Sequence, residues 1–135
     1  MSPVERIPVH PDLGAHRFGV HLLLDMWGCR VNILGDGDAL VALVRRAADA
    51  AGGTVIDVVV HSFGAPWGVT AVAVLAESHL SIHTWPEERY VAVDAYTCGR
   101  SMSPSAAAAV FQDALHPTQV REHTIDRGRR DVDDT

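Results

Sequence analysis

The chain has 135 residues, of which 47% are hydrophobic and 21% are charged, and this length and composition are typical of one soluble globular domain. The formal net charge of -6 argues against a general nucleic-acid binder, because such proteins need a concentrated basic surface to neutralise phosphates. No apolar run is long enough to cross a bilayer and no signal peptide opens the chain, so we expect a cytoplasmic protein without a membrane partner.

The predicted elements follow one another in the order β-α-β-β-β-β-α-β. Alternating or β-branched residues predict the strands, and apolar residues three or four positions apart predict the first helix. Asp36 and Ser103 are the expected helix starts, and Gly52 ends the first helix. The predicted ranges are an arm at 1–16, strands at 18–24, 54–60, 69–75, 80–84, 90–97 and 120–125, helices at 36–51 and 104–115, and a flexible tail at 127–135.

This order of elements predicts the fold class. Strands outnumber helices, and the short gap between the strands at 54–60 and 69–75 favours antiparallel neighbours. We therefore expect a single α+β domain over residues 1–135, built as a two-layer sandwich with an antiparallel sheet and both helices packed on one face.

The candidate chemistry is concentrated around Ser78, which follows a buried strand and Glu77. A turn serine is the more common explanation for such a residue. A hydrolase nucleophile is not expected, because Ala76 and Leu80 occupy the glycine positions of a GxSxG motif. A serine in a strained turn can also react with its own backbone. Its hydroxyl can attack the preceding carbonyl and convert the Glu77–Ser78 amide into an ester.

Other polar residues near strand ends could support such chemistry. His83 could carry protons or could simply be packed against a carbonyl. Cys98 could be an acid or a nucleophile, although most cysteines are small buried hydrophobes. Thr70 and Glu87 are more often a ladder residue and a solvated turn acid. His79 is expected to point away from Ser78, because neighbours on an extended chain face opposite sides, and we assign it a structural role.

No metal site is expected. His79 and His83 are four positions apart, but on a strand this spacing does not create the paired face of a helical zinc motif. The two cysteines, Cys29 and Cys98, form no CxxC pair. Cys29 and Trp27 are predicted to lie in the core.

The exact sequences of two segments are more informative than these general patterns. The run ESHLSIHTWPE at 77–87, followed by VDAYTCG at 93–99, closely resembles the prokaryotic S-adenosylmethionine decarboxylase proenzyme family, and the resemblance extends over about residues 18–126. It implies a self-processing, pyruvoyl-dependent enzyme. Ser78 would attack the carbonyl of Glu77, the chain would be cut into residues 1–77 and 78–135, and Ser78 would become the pyruvoyl group.

The same resemblance implies roles for the other candidates. His83 would be the base in processing and Cys98 the proton donor after CO₂ leaves. Thr70 occupies the position of a serine that steadies the processing intermediate, and Glu87 would hold the ribose of the substrate. The loop containing Phe63 and Trp67 would help form the adenine pocket. The partners implied are S-adenosylmethionine and a second copy of the processed chain, in a homodimer.

The implied cofactor explains why no cofactor-binding motif is needed. A Schiff base between the substrate amine and the pyruvoyl ketone provides a sink for the electrons left behind by CO₂. The product would supply aminopropyl groups for spermidine synthesis. Compared with the family, the loop at 63–68 is one residue longer and Ala71 replaces a glycine. L-ornithine and L-arginine therefore remain alternative substrates, and an unprocessed binding or regulatory module is the alternative from another class.

Overall fold

The computed structural model describes residues 18–98 and 101–129 as an antiparallel sheet of six strands with two α-helices. In chain order the elements are β1 (Gly19–Trp27), α1 (Gly37–Ala50), β2 (Val55–Ser62), β3 (Val69–Leu75), β4 (Ser78–Trp85), β5 (Tyr90–Thr97), α2 (Pro104–Leu115) and β6 (Gln119–Arg127). Short 3₁₀ turns lie at Val31–Ile33 and Pro86–Glu88.

The strands are arranged in the order β2-β3-β4-β5-β1-β6, and every neighbouring pair is antiparallel. Both helices pack on the same face of the sheet, α1 against β2 to β4 and α2 against β1 and β5. The predicted α+β sandwich and its order of elements are confirmed. The predicted arm at 1–16 lies outside the described residues, as does most of the predicted tail.

The sequence predicted the helix starts correctly. Asp36 accepts a hydrogen bond from the backbone N–H of Ala39 at 3.1 Å, and Ser103 accepts one from that of Ala106 at 3.3 Å. Each side chain thus pairs one of the backbone donors that a helix leaves unpaired at its N-terminus.

The core lies between the sheet and the two helices. Alternate residues of the four central strands are fully buried there, and they meet apolar residues from one face of each helix. The largest of the fully buried side chains are Phe111, Leu24, Met26, Leu34, Leu40, Leu80, Ile82 and Leu115.

The opposite face of the sheet, which we call the open face, is covered by neither helix. It carries the other alternate residues of the strands, including Trp27, and β6 is exposed along its whole length. The prediction that Trp27 lies in the core is therefore wrong, whereas Cys29 is fully buried as expected. The Trp27 ring stacks on Tyr90 with centroids 5.7 Å apart, and the Arg121 guanidinium lies 5.9 Å from its centroid.

Candidate active site

The predicted site residues are divided between the two ends of β4. Ser78 is the first residue of this strand and His83 is the sixth. Because a strand rises about 3.3 Å per residue, their α-carbons are about 16 Å apart. Cys98 lies at the Ser78 end, and Thr70 lies opposite His83 on β3. Residues that are close in sequence thus form two separate groups within one chain.

The first group surrounds the peptide bond between Glu77 and Ser78. The carbonyl oxygen of Glu77 accepts hydrogen bonds from the backbone N–H of Cys98 at 3.1 Å and from its thiol at 3.2 Å. Ser78 has a φ of 148°, a backbone conformation that is strained for any residue with a side chain. One peptide bond therefore combines a polarised carbonyl with a strained serine.

The carboxylate of Glu77 fixes the turn that precedes β4. Its two oxygens accept hydrogen bonds from the backbone N–H of Thr54 at 2.9 Å and from the Thr54 hydroxyl at 3.3 Å. The backbone N–H of Ala76 also donates to the carbonyl of Thr54 at 2.9 Å. These bonds tie the turn to the start of β2, so the strained peptide is held by its surroundings.

The second group lies at the other end of β4. The Thr70 hydroxyl is 3.1 Å from Nδ1 of His83, and both side chains line a cavity of about 370 Å³. Thr84, which is buried, accepts a hydrogen bond from the backbone N–H of Val69 at 2.9 Å and donates one to the carbonyl of Leu34 at 2.6 Å. The wall of the cavity is therefore fixed to the core.

Two exposed aromatic rings stand at the mouth of this cavity. Phe63 and Trp67 are 58% and 54% exposed, and both line the cavity together with Glu87. Their loop is closed by hydrogen bonds from the N–H of Phe63 to the carbonyl of Gly68 at 3.0 Å and from the N–H of Trp67 to that of Gly64 at 2.7 Å. Such rings on a braced loop can stack on a flat ligand.

Glycine is required at position 68 by close packing. A Cβ atom there would lie 1.8 Å from the carbonyl oxygen of Thr84. The loop is therefore fixed at Gly68, whereas residues 63–67 before it are exposed.

A polar network on the open face was not predicted from the sequence. Nε2 of His21 lies 3.1 Å from a carboxylate oxygen of Asp94, and a guanidinium nitrogen of Arg127 lies 3.0 Å from its Nδ1. Ser81 donates to the other carboxylate oxygen of Asp94 at 3.4 Å. These residues come from four different strands, and only the register of the sheet brings them together.

His79 connects this network to Ser78. Its Nδ1 lies 3.4 Å from the Ser78 hydroxyl oxygen, although the sequence predicted that the two side chains would point apart. The unusual φ of Ser78 explains the difference, because simple alternation holds only for regular extended backbone. Burial lowers the pKa of His79, positive charge on His21 would lower it further, and the Asp94 carboxylate acts in the opposite direction.

The two cysteines are both free and lie in contrasting environments. Cys98 is exposed beside the Glu77 carbonyl. Cys29 is fully buried, and burial raises its pKa to about 11. Since the thiolate is the reactive form, Cys98 is the cysteine available for chemistry.

Residues 18–98 and 101–129 contain no group of three or more His, Cys, Asp or Glu side chains that could hold a metal ion. Within the same ranges, neither helix is long and apolar enough to cross a membrane.

Comparison with known proteins gives a consistent result. The model of the S-adenosylmethionine decarboxylase family matches residues 20–128. The S-adenosylmethionine decarboxylase proenzyme of Methanococcus maripaludis is 42% identical over 118 residues, which cover 87% of this chain and 96% of the relative. That of Parasynechococcus marenigrum is 42% identical over 114 residues, covering 84% of this chain and 86% of the relative.

A solved structure agrees with these relatives. The crystal structure of the adenosylmethionine decarboxylase from Aquifex aeolicus matches with a TM-score of 0.78 at 32% identity, over 87% of this chain and 96% of that chain. The family model spans β1 to β6, and the two relatives and the solved structure cover 87%, 84% and 87% of this chain. The chain therefore belongs to the S-adenosylmethionine decarboxylase family.

Proposed function

We propose that the chain cleaves itself between Glu77 and Ser78 and then decarboxylates S-adenosylmethionine with a pyruvoyl group made from Ser78. The observation that carries this proposal is the peptide bond at the start of β4. Its carbonyl accepts two hydrogen bonds from Cys98, and its serine has a φ of 148°. The first feature favours attack at the carbonyl carbon and the second is relieved when the bond breaks.

Processing begins with attack of the Ser78 hydroxyl oxygen on the carbonyl carbon of Glu77. The N–H and thiol of Cys98 stabilise the negative charge that develops on the carbonyl oxygen. When the C–N bond breaks, Glu77 is left as an ester on the Ser78 oxygen and the nitrogen of Ser78 becomes a free amine. The amide has been exchanged for a bond that is easier to cleave.

The ester is then eliminated. Removal of the Cα proton of Ser78 expels the Glu77 carboxylate and leaves a dehydroalanine. This enamine tautomerises to an imine, and water hydrolyses the imine to a ketone and ammonia. We assign this proton removal to His83, with the Thr70 hydroxyl 3.1 Å away as its positioning partner.

The pyruvoyl group supplies an electron sink for the electrons left on the substrate α-carbon when CO₂ departs. The residues that would hold it are those at the start of β4, which already bind and strain the serine from which it is made. Cys98 would deliver the proton to the substrate carbon, since its thiol is exposed and lies beside this position.

The cavity next to His83 supports the adenosyl substrate. Phe63 and Trp67 offer apolar faces on which adenine can stack, and the Glu87 carboxylate can accept hydrogen bonds from ribose hydroxyls. L-ornithine and L-arginine contain neither a purine nor a ribose, so these groups would be unused. S-adenosylmethionine is therefore the substrate that we propose.

The division of the site between the ends of β4 supports a homodimer. A single chain leaves Ser78 about 16 Å from His83, which is too far for proton transfer to the serine, and Cys98 lies at the Ser78 end. The open face is available for a second copy and exposes Val59, Val74 and Trp85, which are 60%, 42% and 41% exposed. We propose that two open faces stack.

A two-fold axis near the middle of β4 would complete both sites. It would place the Ser78 end of one strand against the His83 end of its partner, and the reverse at the second site. The same apolar and polar side chains would meet their own copies, as a two-fold interface requires. Each site would then take its pyruvoyl precursor from one chain and its base from the other.

The proposed product is an aminopropyl donor for spermidine synthesis, and we expect that reaction to take place in the cytoplasm. The net charge of -6 gives no support to a nucleic-acid partner.

Intact-mass measurement tests the processing. Wild-type protein should give two fragments ending at Glu77 and beginning with a pyruvoyl group at position 78, whereas Ser78→Ala should remain a single species of 14.5 kDa. A wild-type chain that stays uncut after long incubation would favour the binding module. CO₂ release from S-adenosylmethionine, L-ornithine and L-arginine then identifies the substrate, and release from an amino acid alone would exclude S-adenosylmethionine.

A further inference from the structure

We propose that His79 is the catalytic base of the first processing step, taking the proton of the Ser78 hydroxyl and returning it to the amide nitrogen of the same residue. The inference rests on the proposed self-cleavage. Nδ1 of His79 lies 3.4 Å from the Ser78 oxygen, whereas His83 of the same chain lies at the other end of β4. This separation is long for a hydrogen bond, and catalytic hydrogen bonds commonly tighten as the reaction begins.

The surroundings of His79 favour a ring that can accept a proton. Burial lowers the pKa of His79, so the free base predominates at neutral pH. On β5 the ring faces Tyr96 and the Asp94 carboxylate, and on β1 it faces His21. Its pairing neighbour on β3 is Val74, which carries no charge.

The orientation of the His79 ring is supported by a second histidine with a fixed tautomer. A guanidinium can only donate hydrogen bonds, so Nδ1 of His21 must accept from Arg127. Its Nε2 then carries the proton and donates to Asp94. The His21 ring packs edge-on against His79 with centroids 6.1 Å apart, and Tyr96 contacts the His79 ring with centroids 5.9 Å apart.

The proposed step balances without another reactant. As the Ser78 oxygen bonds to the Glu77 carbonyl carbon, its proton moves to Nδ1 of His79 and the charge develops on the carbonyl oxygen held by Cys98. As the C–N bond breaks, the protonated ring gives the proton to the departing nitrogen. His79 ends neutral, with the ester formed.

Two histidines acting in two steps should leave different stalled chains. Without His79 the ester should form slowly and not accumulate, whereas without His83 it should form and persist. Hydroxylamine cleaves esters and leaves ordinary amides intact, so it distinguishes the two species. His79→Asn keeps a hydrogen-bonding group near Nδ1 but removes the basicity, and His83→Asn makes the same change at the other end of β4.

The experiment follows chain cleavage by intact mass, with and without hydroxylamine. His79→Asn should cleave about 10²-fold more slowly than wild type or slower, the usual contribution of a positioned base, and its uncut chain should resist hydroxylamine. The uncut His83→Asn chain should be cut by hydroxylamine at position 77. His116→Asn is the matched control, because this exposed histidine ends α2 on the side of the sheet away from the open face, and it should process like wild type.

Folded His79→Asn protein that cleaves at the wild-type rate, or that accumulates hydroxylamine-sensitive chain, would overturn the proposal. If this variant does not fold, the pH dependence of ester formation in His83→Asn decides. The rate of ester formation should increase with pH and reach a plateau. The midpoint of the increase should lie below 6.5, the ordinary pKa of histidine. Ester formation that slows as the pH rises, or a midpoint at or above 6.5, would refute the role of His79. A wild-type chain that never cleaves would instead refute the proposed function.

Discussion

Two inactive variants are expected to restore cleavage when they are produced in the same cell. Ser78→Ala removes the attacking oxygen, and His83→Ala removes the base at the other end of β4. If each site combines Ser78 of one chain with His83 of the other, a dimer containing one copy of each variant has one complete site and one site that lacks both groups. Neither variant cleaves on its own.

The expected yield follows from the two-fold geometry. When both chains are made in equal amounts and pair at random, about half of the dimers contain one copy of each. The complete site in such a dimer cuts the His83→Ala chain, because that chain still has its serine. About half of the His83→Ala chains, and so about a quarter of all chains, should be cut.

The assay is co-expression with two different affinity tags, followed by intact mass of each tagged chain. The matched control carries both substitutions on one chain and is co-expressed with wild type, so that each mixed dimer has no complete site. About half of the wild-type chains should then remain uncut. Absence of cleavage in the first mixture, together with full cleavage of wild type in the second, would show that each chain processes itself without the partner's His83.

Three further predictions concern single side chains. In uncut protein, iodoacetamide should label the exposed Cys98 and leave Cys29 unmodified, because Cys29 is fully buried and burial raises its pKa to about 11. Equal labelling of the two cysteines in a peptide map would contradict this. Burial and the hydrogen bond to Asp25 raise the pKa of Tyr90 to about 12, so the protonated phenol stabilises the fold below pH 10 and this contribution is lost as pH rises toward 12. Denaturation at several pH values should therefore show a smaller loss of unfolding free energy in Tyr90→Phe than in wild type. The same dependence of unfolding free energy on pH in both proteins would refute this. Trp67→Ala should raise the KM for S-adenosylmethionine about tenfold with little change in kcat, as loss of a stacking contact predicts, and steady-state kinetics with an unchanged KM would remove Trp67 from the pocket.

Much of the fold could be predicted because local rules and tertiary packing agree. The strand at 69–75 and the helix ending at Leu115 were predicted with the same bounds that the structure has. Asp36 and Ser103 act through bonds to residues three positions away, which sequence spacing captures. The family motif then identified the peptide bond at which chemistry is proposed.

The remaining differences depend on long-range pairing. Trp27 alternates with core residues of β1, but the sequence does not say which face of the strand the helices cover. Ser78 and His83 are five residues apart and were assigned to the same chemistry, yet an extended strand separates them. The contact between His79 and Ser78 depends on a φ of 148°, which no residue pattern predicts for a serine.

The strain at Ser78 leads to a last prediction, that replacing this residue by glycine relieves backbone strain although it removes the nucleophile. Replacing Ser78 by Ala or by Gly removes the nucleophile, so both chains should stay uncut and can be compared directly. Glycine adopts a φ of 148° without a Cβ clash, whereas alanine retains the strain, which costs on the order of 1–3 kcal/mol at such positions.

Ser78→Gly should therefore have a higher free energy of unfolding than Ser78→Ala, by about 1 kcal/mol or more, measured by urea denaturation. The matched pair at Ser81, inside the same strand and free of positive φ, should show the reverse order, because glycine in a strand interior is less stable than alanine by roughly 0.5–1 kcal/mol. The same order at both positions would mean that Ser78 is not strained. If glycine is the more stable residue at position 78 and alanine at position 81, the chain retains an unfavourable backbone conformation beside the peptide bond that is proposed to break.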